Sequence, residues 1–171
     1  MPNPQVGIIM GSDSDLDVMQ KAAETLKKLD VEAELEVISA HRTPERMAEY
    51  GKTARERGLK VIIAGAGGSA HLPGMTAAYT DLPVVAVPIV REGKTDAAIK
   101  SSNAMPPGVP LGVMGANGAV NAALYATAII STYDEKVAEK LAEYRSNMHD
   151  GVIETAEKLK NIGWENYFDQ N

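Results

Sequence analysis

Five short apolar runs, at residues 5–10, 31–38, 60–64, 83–87 and 109–113, recur along this chain, and every interval between them is long enough to hold a helix. This spacing restricts the fold severely. Antiparallel strands can be joined by a two-residue turn, whereas parallel strands need a crossover of a dozen or more residues, usually helical. The alternation therefore predicts a three-layer α/β domain: a parallel sheet with right-handed crossovers and helices on both faces. The expected strand order is the flavodoxin-like 2-1-3-4-5, with its switch point between the first and third strands. A single domain over residues 1–171 is expected, its core at about 5–131 and an oligomerisation helix and tail at about 132–171.

After Gly11-Ser12-Asp13-Ser14-Asp15, the residues Leu16, Met19, Ala22, Ala23, Leu26 and Leu29 recur at helical spacing, with Ser14 a suitable N-cap. Thr43 is placed to cap the second helix and Pro44 to start it, where a fixed φ and a missing N–H cost nothing. The C-terminal segment departs from this alternation. Thr132-Tyr133-Asp134-Glu135 has the form of a capping box, and Val137, Leu141, Tyr144, Met148, Val152, Ala156 and Leu159 form an apolar stripe behind it. Such a helix runs about 40 Å at 1.5 Å per residue, roughly twice a typical strand. It must overhang its own domain. The stripe, with Trp164, Tyr167 and Phe168, calls for a partner surface, most simply an identical subunit, so a homo-oligomer is expected.

Composition narrows the function. A hydrophobic fraction of 44% and a charged fraction of 23% are ordinary for a globular protein, and no apolar run is long enough to span a bilayer, so no membrane partner is expected. Met1-Pro2-Asn3-Pro4-Gln5 lacks the basic start and apolar core of an export signal, and a cytoplasmic location is expected. The absence of cysteine removes disulfides, thiolate nucleophiles and Cys-based zinc sites. A net charge of −6 argues against nucleic acid as a partner, although one arginine at a helix N-terminus can still hold a single phosphate.

Three loops carry the candidate chemistry, because the turns at the carboxyl ends of parallel strands converge on one edge of the sheet. In the first, the hydroxyls of Ser12 and Ser14 and the N–H groups of the turn can hold a phosphate while Asp15 bonds ribose hydroxyls; alternatively Ser14 and Asp15 cap the helix. In the second, Ser39-Ala40-His41-Arg42-Thr43-Pro44, Arg42 can pair with phosphate and His41 can move protons near neutral pH. The competing readings are an ion pair from Arg42 to Glu45 or Glu49 and a histidine that merely bonds the backbone. The third, Gly65-Ala66-Gly67-Gly68-Ser69-Ala70-His71-Leu72-Pro73-Gly74, reads as a turn whose N–H groups hold a carboxylate or CO2 beside His71, or as a tight turn serving close packing.

Other motifs fall away. Gly65-x-Gly67-x-x-Ala70 follows the third strand rather than the first, and the next apolar run ends in Val90-Arg91 rather than an acid, so a nicotinamide cofactor is not expected. Gly93-Lys94-Thr95 ends like a phosphate-binding loop, but Pro88 stands where the motif needs glycine. His41 and His71 lack a third ligand at recognisable spacing, so no metal is expected, and His149 is assigned to a solvated helix face. Gly115-Ala116-Asn117-Gly118-Ala119-Val120-Asn121 reads as close packing at all positions except Asn121.

Taken together, the Gly11 loop, the Ser39 loop and the long glycine segment ending in His71-Leu72-Pro73-Gly74-Met75 resemble class I N5-carboxyaminoimidazole ribonucleotide mutases, in order and spacing, over about residues 6–130. The resemblance implies an octameric enzyme of purine synthesis that works without metal or organic cofactor. It implies migration of a carboxylate from the exocyclic nitrogen of an aminoimidazole ribonucleotide to ring carbon C4, with His41 as acid and base. It further implies that Ser12, Ser39 and Arg42 contact the phosphate and that Asp15 is the ribose ligand, with Ser14, Ala40 and Ser69 also counted as substrate-binding. Ala66, Gly67, His71 and Leu72 would form the wall around the base and carboxylate. The pattern weakens over residues 91–104, where the family's Leu-Ser-Gly-x-Asp-Ser-Leu stretch is replaced, and at Ser69, where alanine is usual. The alternatives are a carboxylase that uses free aminoimidazole ribonucleotide and CO2, and a non-catalytic nucleotide-binding module.

Overall fold

Strands β1 (Val6–Met10), β2 (Ala33–Val37), β3 (Val61–Gly67), β4 (Val84–Ile89) and β5 (Gly112–Val113) all run parallel, in the order β2-β1-β3-β4-β5. Helices α1 (Leu16–Lys28), α2 (Pro44–Thr53), α3 (Leu72–Ala77), α4 (Asp96–Asn103) and α5 (Ala119–Ile130) fill the crossovers and follow β5, and α6 (Glu135–Ile162) ends the domain. The computed structural model describes residues 3–91 and 96–168; the Gly93-Lys94-Thr95 segment lies outside them.

Two-residue alternation along the central strands divides the core into two layers. Ile8 and Met10 of β1, Ile63 of β3 and Val85 and Val87 of β4 pack against Met19 and Leu26 of α1 and the alanine-rich face of α5. Ile9, Ile62 and Ala64 face the other way, against Met47 and Tyr50 of α2, Leu72 of α3 and Ala98 of α4. Buried on both faces, β1 and β4 are enclosed along their whole length, whereas the edge strand β2 is partly open.

Several element ends differ from the sequence expectation. Ser14 does not cap α1: it lies inside a short 3-10 turn, Asp13–Asp15, capped by the hydroxyl of Ser12. Leu16 is exposed at 41%, because that turn rotates the start of α1 and Val18 takes the inward position. α6 is capped by Asp134, whose carboxylate accepts from the N–H groups of Lys136 and Val137, so Thr132 is not the cap. β5 pairs with β4 over two residues only, shorter than its apolar run suggested. Along the 28 residues of α6 only Val137 and Leu141 are buried, while Met148 (55% exposed), Val152 (67%) and Trp164 beyond it (76%) are open.

Gly7 of β1 makes room for Tyr50. A Cβ there would lie 2.1 Å from Tyr50 Oη and 2.9 Å from Leu59 Cδ1. The hydroxyl cannot retreat easily, because it donates to Glu34 Oε1 at 2.8 Å while Arg57 binds the same oxygen at 2.5 Å and lies 4.4 Å above the ring. Burial, and then Glu34, hold the Tyr50 hydroxyl well above its usual pKa, so it remains a donor. Gly7→Ala is expected to cost about 1–3 kcal/mol through overpacking, a fall of roughly 2–4 °C in Tm per kcal/mol for a chain of this size. A thermal melt matching the wild type would show that Tyr50 yields freely.

Candidate functional site

Because β1 lies between β2 and β3, the loops that follow these three strands open side by side at one edge of the sheet. In the first loop, Ser12 Oγ accepts from Ser14 N at 3.3 Å and Asp13 Oδ1 accepts from the same N–H at 3.0 Å. These contacts cap the 3-10 turn ahead of α1, and Asp15, at the N-cap of α1 itself, makes no side-chain cap bond. Asp15 is 7% exposed. Burial raises its carboxyl above the usual range, opposed by the positive charge of Arg91.

The second loop folds on itself before α2. Thr43 Oγ1 donates to Ser39 O at 2.9 Å and accepts from Ser39 N at 3.1 Å, so its side chain ties the loop rather than capping the helix; Pro44 does take the first helical turn. Arg42 Nε donates to Ser39 Oγ at 3.2 Å and Arg42 Nη2 reaches Gly11 O at 2.8 Å, joining the first two loops. Among the described residues no ion pair joins Arg42 to Glu45 or Glu49. Its charge is thus held by neutral oxygens.

The third loop begins later than the sequence suggested. β3 continues through Gly67, pairing Gly65 with Val87 and Gly67 with Ile89, so the first glycines belong to the strand rather than a turn. Gly65 serves packing, since a Cβ there would lie 2.3 Å from Met19 Sδ on α1. The chain then turns at Gly68, at φ +61°, where His71 N donates to Ser69 O at 2.7 Å and Ala70 N to Ser101 Oγ at 3.0 Å. This brings His71 Nδ1 to 2.9 Å from His41 Nε2, the rings edge to face with centroids 5.1 Å apart.

Ser12, Ser14, Asp15, Ser39, Ala40, His41, Arg42, Ala66, Gly67, Ser69, His71 and Leu72 all line one cleft of about 470 Å³, together with Gly11. Four other hollows among the described residues, of about 710, 760, 640 and 480 Å³, are larger, and none of them is lined by a histidine. His149 is exposed on α6, 3.0 Å from Asp150, and Asn121 is exposed on α5, so neither joins the cleft. The amide of Asn117 pins Val90, accepting from its N–H and donating to its C=O, both at 2.9 Å. Arg91 follows, bound to Asp17 and to the carbonyl of Ser14. Neither Asn117 nor Arg91 was singled out from the sequence, although Asn117-Gly118 is a pair suited to a left-handed turn, and Asn117 has φ +55°. Among the described residues no group of three or more His, Asp or Glu side chains is arranged to hold a metal ion.

The family model described as AIR carboxylase matches residues 5–151. An N5-carboxyaminoimidazole ribonucleotide mutase of Pyrococcus abyssi is 52% identical over 97% of this chain and 96% of its own length, and one of Thermotoga maritima is 48% identical over 98% of each. A phosphoribosylaminoimidazole carboxylase of Schizosaccharomyces pombe is also 48% identical, but the chain spans only 30% of it. The crystal structure of Treponema denticola PurE superposes with a TM-score of 0.84 at 32% identity, covering 92% of this chain and 99% of that one. The family match takes in all five strands and each loop that forms the cleft, and on that ground the chain belongs to the AIR carboxylase family.

Proposed function

We propose that this protein is an N5-carboxyaminoimidazole ribonucleotide mutase of purine synthesis, moving the carboxylate of N5-carboxyaminoimidazole ribonucleotide to C4. The observation that carries the reading is the contact of His41 with His71 at 2.9 Å, set between an arginine held by neutral oxygens and a wall formed by Ala66 and Gly67. Full-length likeness to stand-alone mutases favours this over direct carboxylation, since the carboxylase relatives are about three times longer.

Arg42, with the hydroxyls of Ser12, Ser14 and Ser39, holds the phosphate, and the carboxylate of Asp15 accepts from the ribose hydroxyls. Ala40 and Leu72 close the sides of the base pocket, and Ser69 lies at its rim. The C–N bond of the carbamate breaks to release CO2 while His41 gives a proton to the exocyclic nitrogen. C4 then attacks CO2, and the neutral His41 removes the C4 proton, which restores its starting state. A hydrogen bond between two ring nitrogens needs one N–H and one lone pair, so in protonated His41 the Nε2–H donates to the lone pair of His71 Nδ1, which orients the ring before substrate arrives. Ala66 and Gly67 leave room for CO2 between the two half-reactions, which makes recombination intramolecular.

We further propose a cytoplasmic homo-octamer in which α6 packs on neighbouring subunits. This reading is supported by the apolar residues Met148, Val152, Ile153 and Leu159, which stay exposed among the described residues, and by the family resemblance.

Absorbance of the carboxylated product should rise with the carbamate substrate and not with aminoimidazole ribonucleotide plus bicarbonate; the reverse pattern means a carboxylase, and no product in either case a binding module. His41→Asn should keep nucleotide affinity but lower kcat by about 10²–10⁴-fold, the usual contribution of a general acid or base. Near-normal turnover would remove it as the proton carrier. In sedimentation at micromolar concentration the wild type should run as an octamer and Val152→Glu as smaller species, whereas a purely monomeric wild type contradicts the assembly.

A further inference from the structure

Arg91 lies just beyond the carboxyl end of β4, yet its guanidinium reaches back to the first loop of the cleft. It donates to Asp17 Oδ2 at 3.1 Å through Nη1 and to Asp17 Oδ1 at 2.9 Å through Nη2, and it binds the carbonyl of Ser14. Asp15, between those two residues in sequence, has its Oδ1 3.9 Å from Arg91 Nη2. The backbone that presents Arg91 is itself fixed, because Asn117 bonds both the N–H and the C=O of Val90. From this arrangement we propose that Arg91 is a positioning residue of the cleft: it clamps the Ser14 to Asp17 turn and holds the Asp15 carboxylate between those residues aimed at the sugar hydroxyls.

A purely structural role explains the geometry poorly. The Arg91–Asp17 pair is open to water, with side chains 47% and 61% exposed, and such pairs contribute little to stability. Asp15 differs, since it is nearly enclosed and an unpaired buried carboxylate takes up a proton. The groups able to bias it are Asp13 on its own turn, Asp17 on α1, His41 and Arg42 from the loop after β2, His71 from the loop after β3, and Arg91. Of these, Arg91 has the largest charge effect on the Asp15 carboxyl, drawing it down against the effect of burial, while Asp17 acts weakly in the opposite sense. Without Arg91, Asp15 protonates at higher pH, and a neutral carboxyl is a weaker acceptor for hydroxyls.

The inference rests on reading the cleft as a ribonucleotide site, so its test has a readout independent of turnover. The Asp15 carboxyl is followed by carbon-13 NMR against pH in the wild type, Arg91→Gln and Arg91→Lys, beside kcat and KM for the carbamate substrate across the same pH range. In Arg91→Gln the Asp15 midpoint should move to higher pH, KM should rise about tenfold, as for loss of a hydrogen bond to a charged group, and the acid limb of kcat/KM should move up. Arg91→Lys should keep the midpoint near wild type but recover KM only in part, because an ammonium cannot hold Asp17 and Ser14 O as a planar fork does. A folded Arg91→Gln with an unmoved Asp15 midpoint overturns the proposal, as does a lowered Tm with KM and pH profile unchanged. Absence of turnover in the wild type defeats the nucleotide reading instead, and the Asp15 midpoint then decides the role of Arg91 alone.

Discussion

The position of the cleft depends on how closely α1 can approach the sheet, and that approach is set at Gly65. Met19 occupies the space that a side chain on β3 would fill, with its sulfur 2.3 Å from where a Cβ would stand. Any larger residue at 65 pushes α1 outward or displaces a fully buried methionine. The turn at the start of α1 carries Ser12, Ser14 and Asp15, so this contact in the core sets how far they stand from the loops after β2 and β3. Two hydrogen bonds extend the arrangement to the surface: Gly11 N donates to Gly65 O at 3.3 Å, and Arg42 donates to Gly11 O at 2.8 Å. The cleft is thus a continuation of the sheet edge.

The two arginines at this edge differ in what they face. Arg42 is held by a hydroxyl and a carbonyl, which orient the guanidinium but leave its charge unneutralised. Arg91 lies against Asp17 and close to Asp15, so most of its charge is already balanced. In a chain of net charge −6 this matters, because the overall charge of the protein repels an incoming phosphate. On the proposed reading the free charge serves as the anion subsite, and the balanced one supports a carboxylate beside it.

Strands β1, β3 and β4 were legible because burial on both faces requires unbroken apolar runs, and the parallel arrangement of the sheet followed from the crossover lengths. β5 was overextended, since Val109 and Leu111 flank a strand that pairs over only two residues. Glycine misled at β3, where Gly65 and Gly67 resemble a turn but sit in the ladder, for the close approach of α1 and the pairing with Ile89. Caps failed for another reason: Ser12, Ser14 and Asp15 are all chemically suitable, and only backbone geometry selects Ser12. The cleft residues were legible because each sits within a few positions of a strand's carboxyl end. Arg91 shares that placement, but its partners lie 74 and 77 residues earlier, and nothing in its neighbourhood points to them.

Adjacency in the second loop couples binding to chemistry. Arg42 and His41 are consecutive, and the Arg42 side chain is fixed at Ser39 and Gly11, so a phosphate held by Arg42 also fixes the distance from nucleotide to imidazole. Both histidines are exposed in the free protein, where CO2 formed beside them would escape to water. On the proposed reading the bound nucleotide covers the site with its own base, and the energy for holding it there would come from phosphate and sugar contacts that do not react. A rigid turn around Asp15 would then matter to turnover, because on that reading loosening the sugar would tilt the base away from His41 without altering any reacting group.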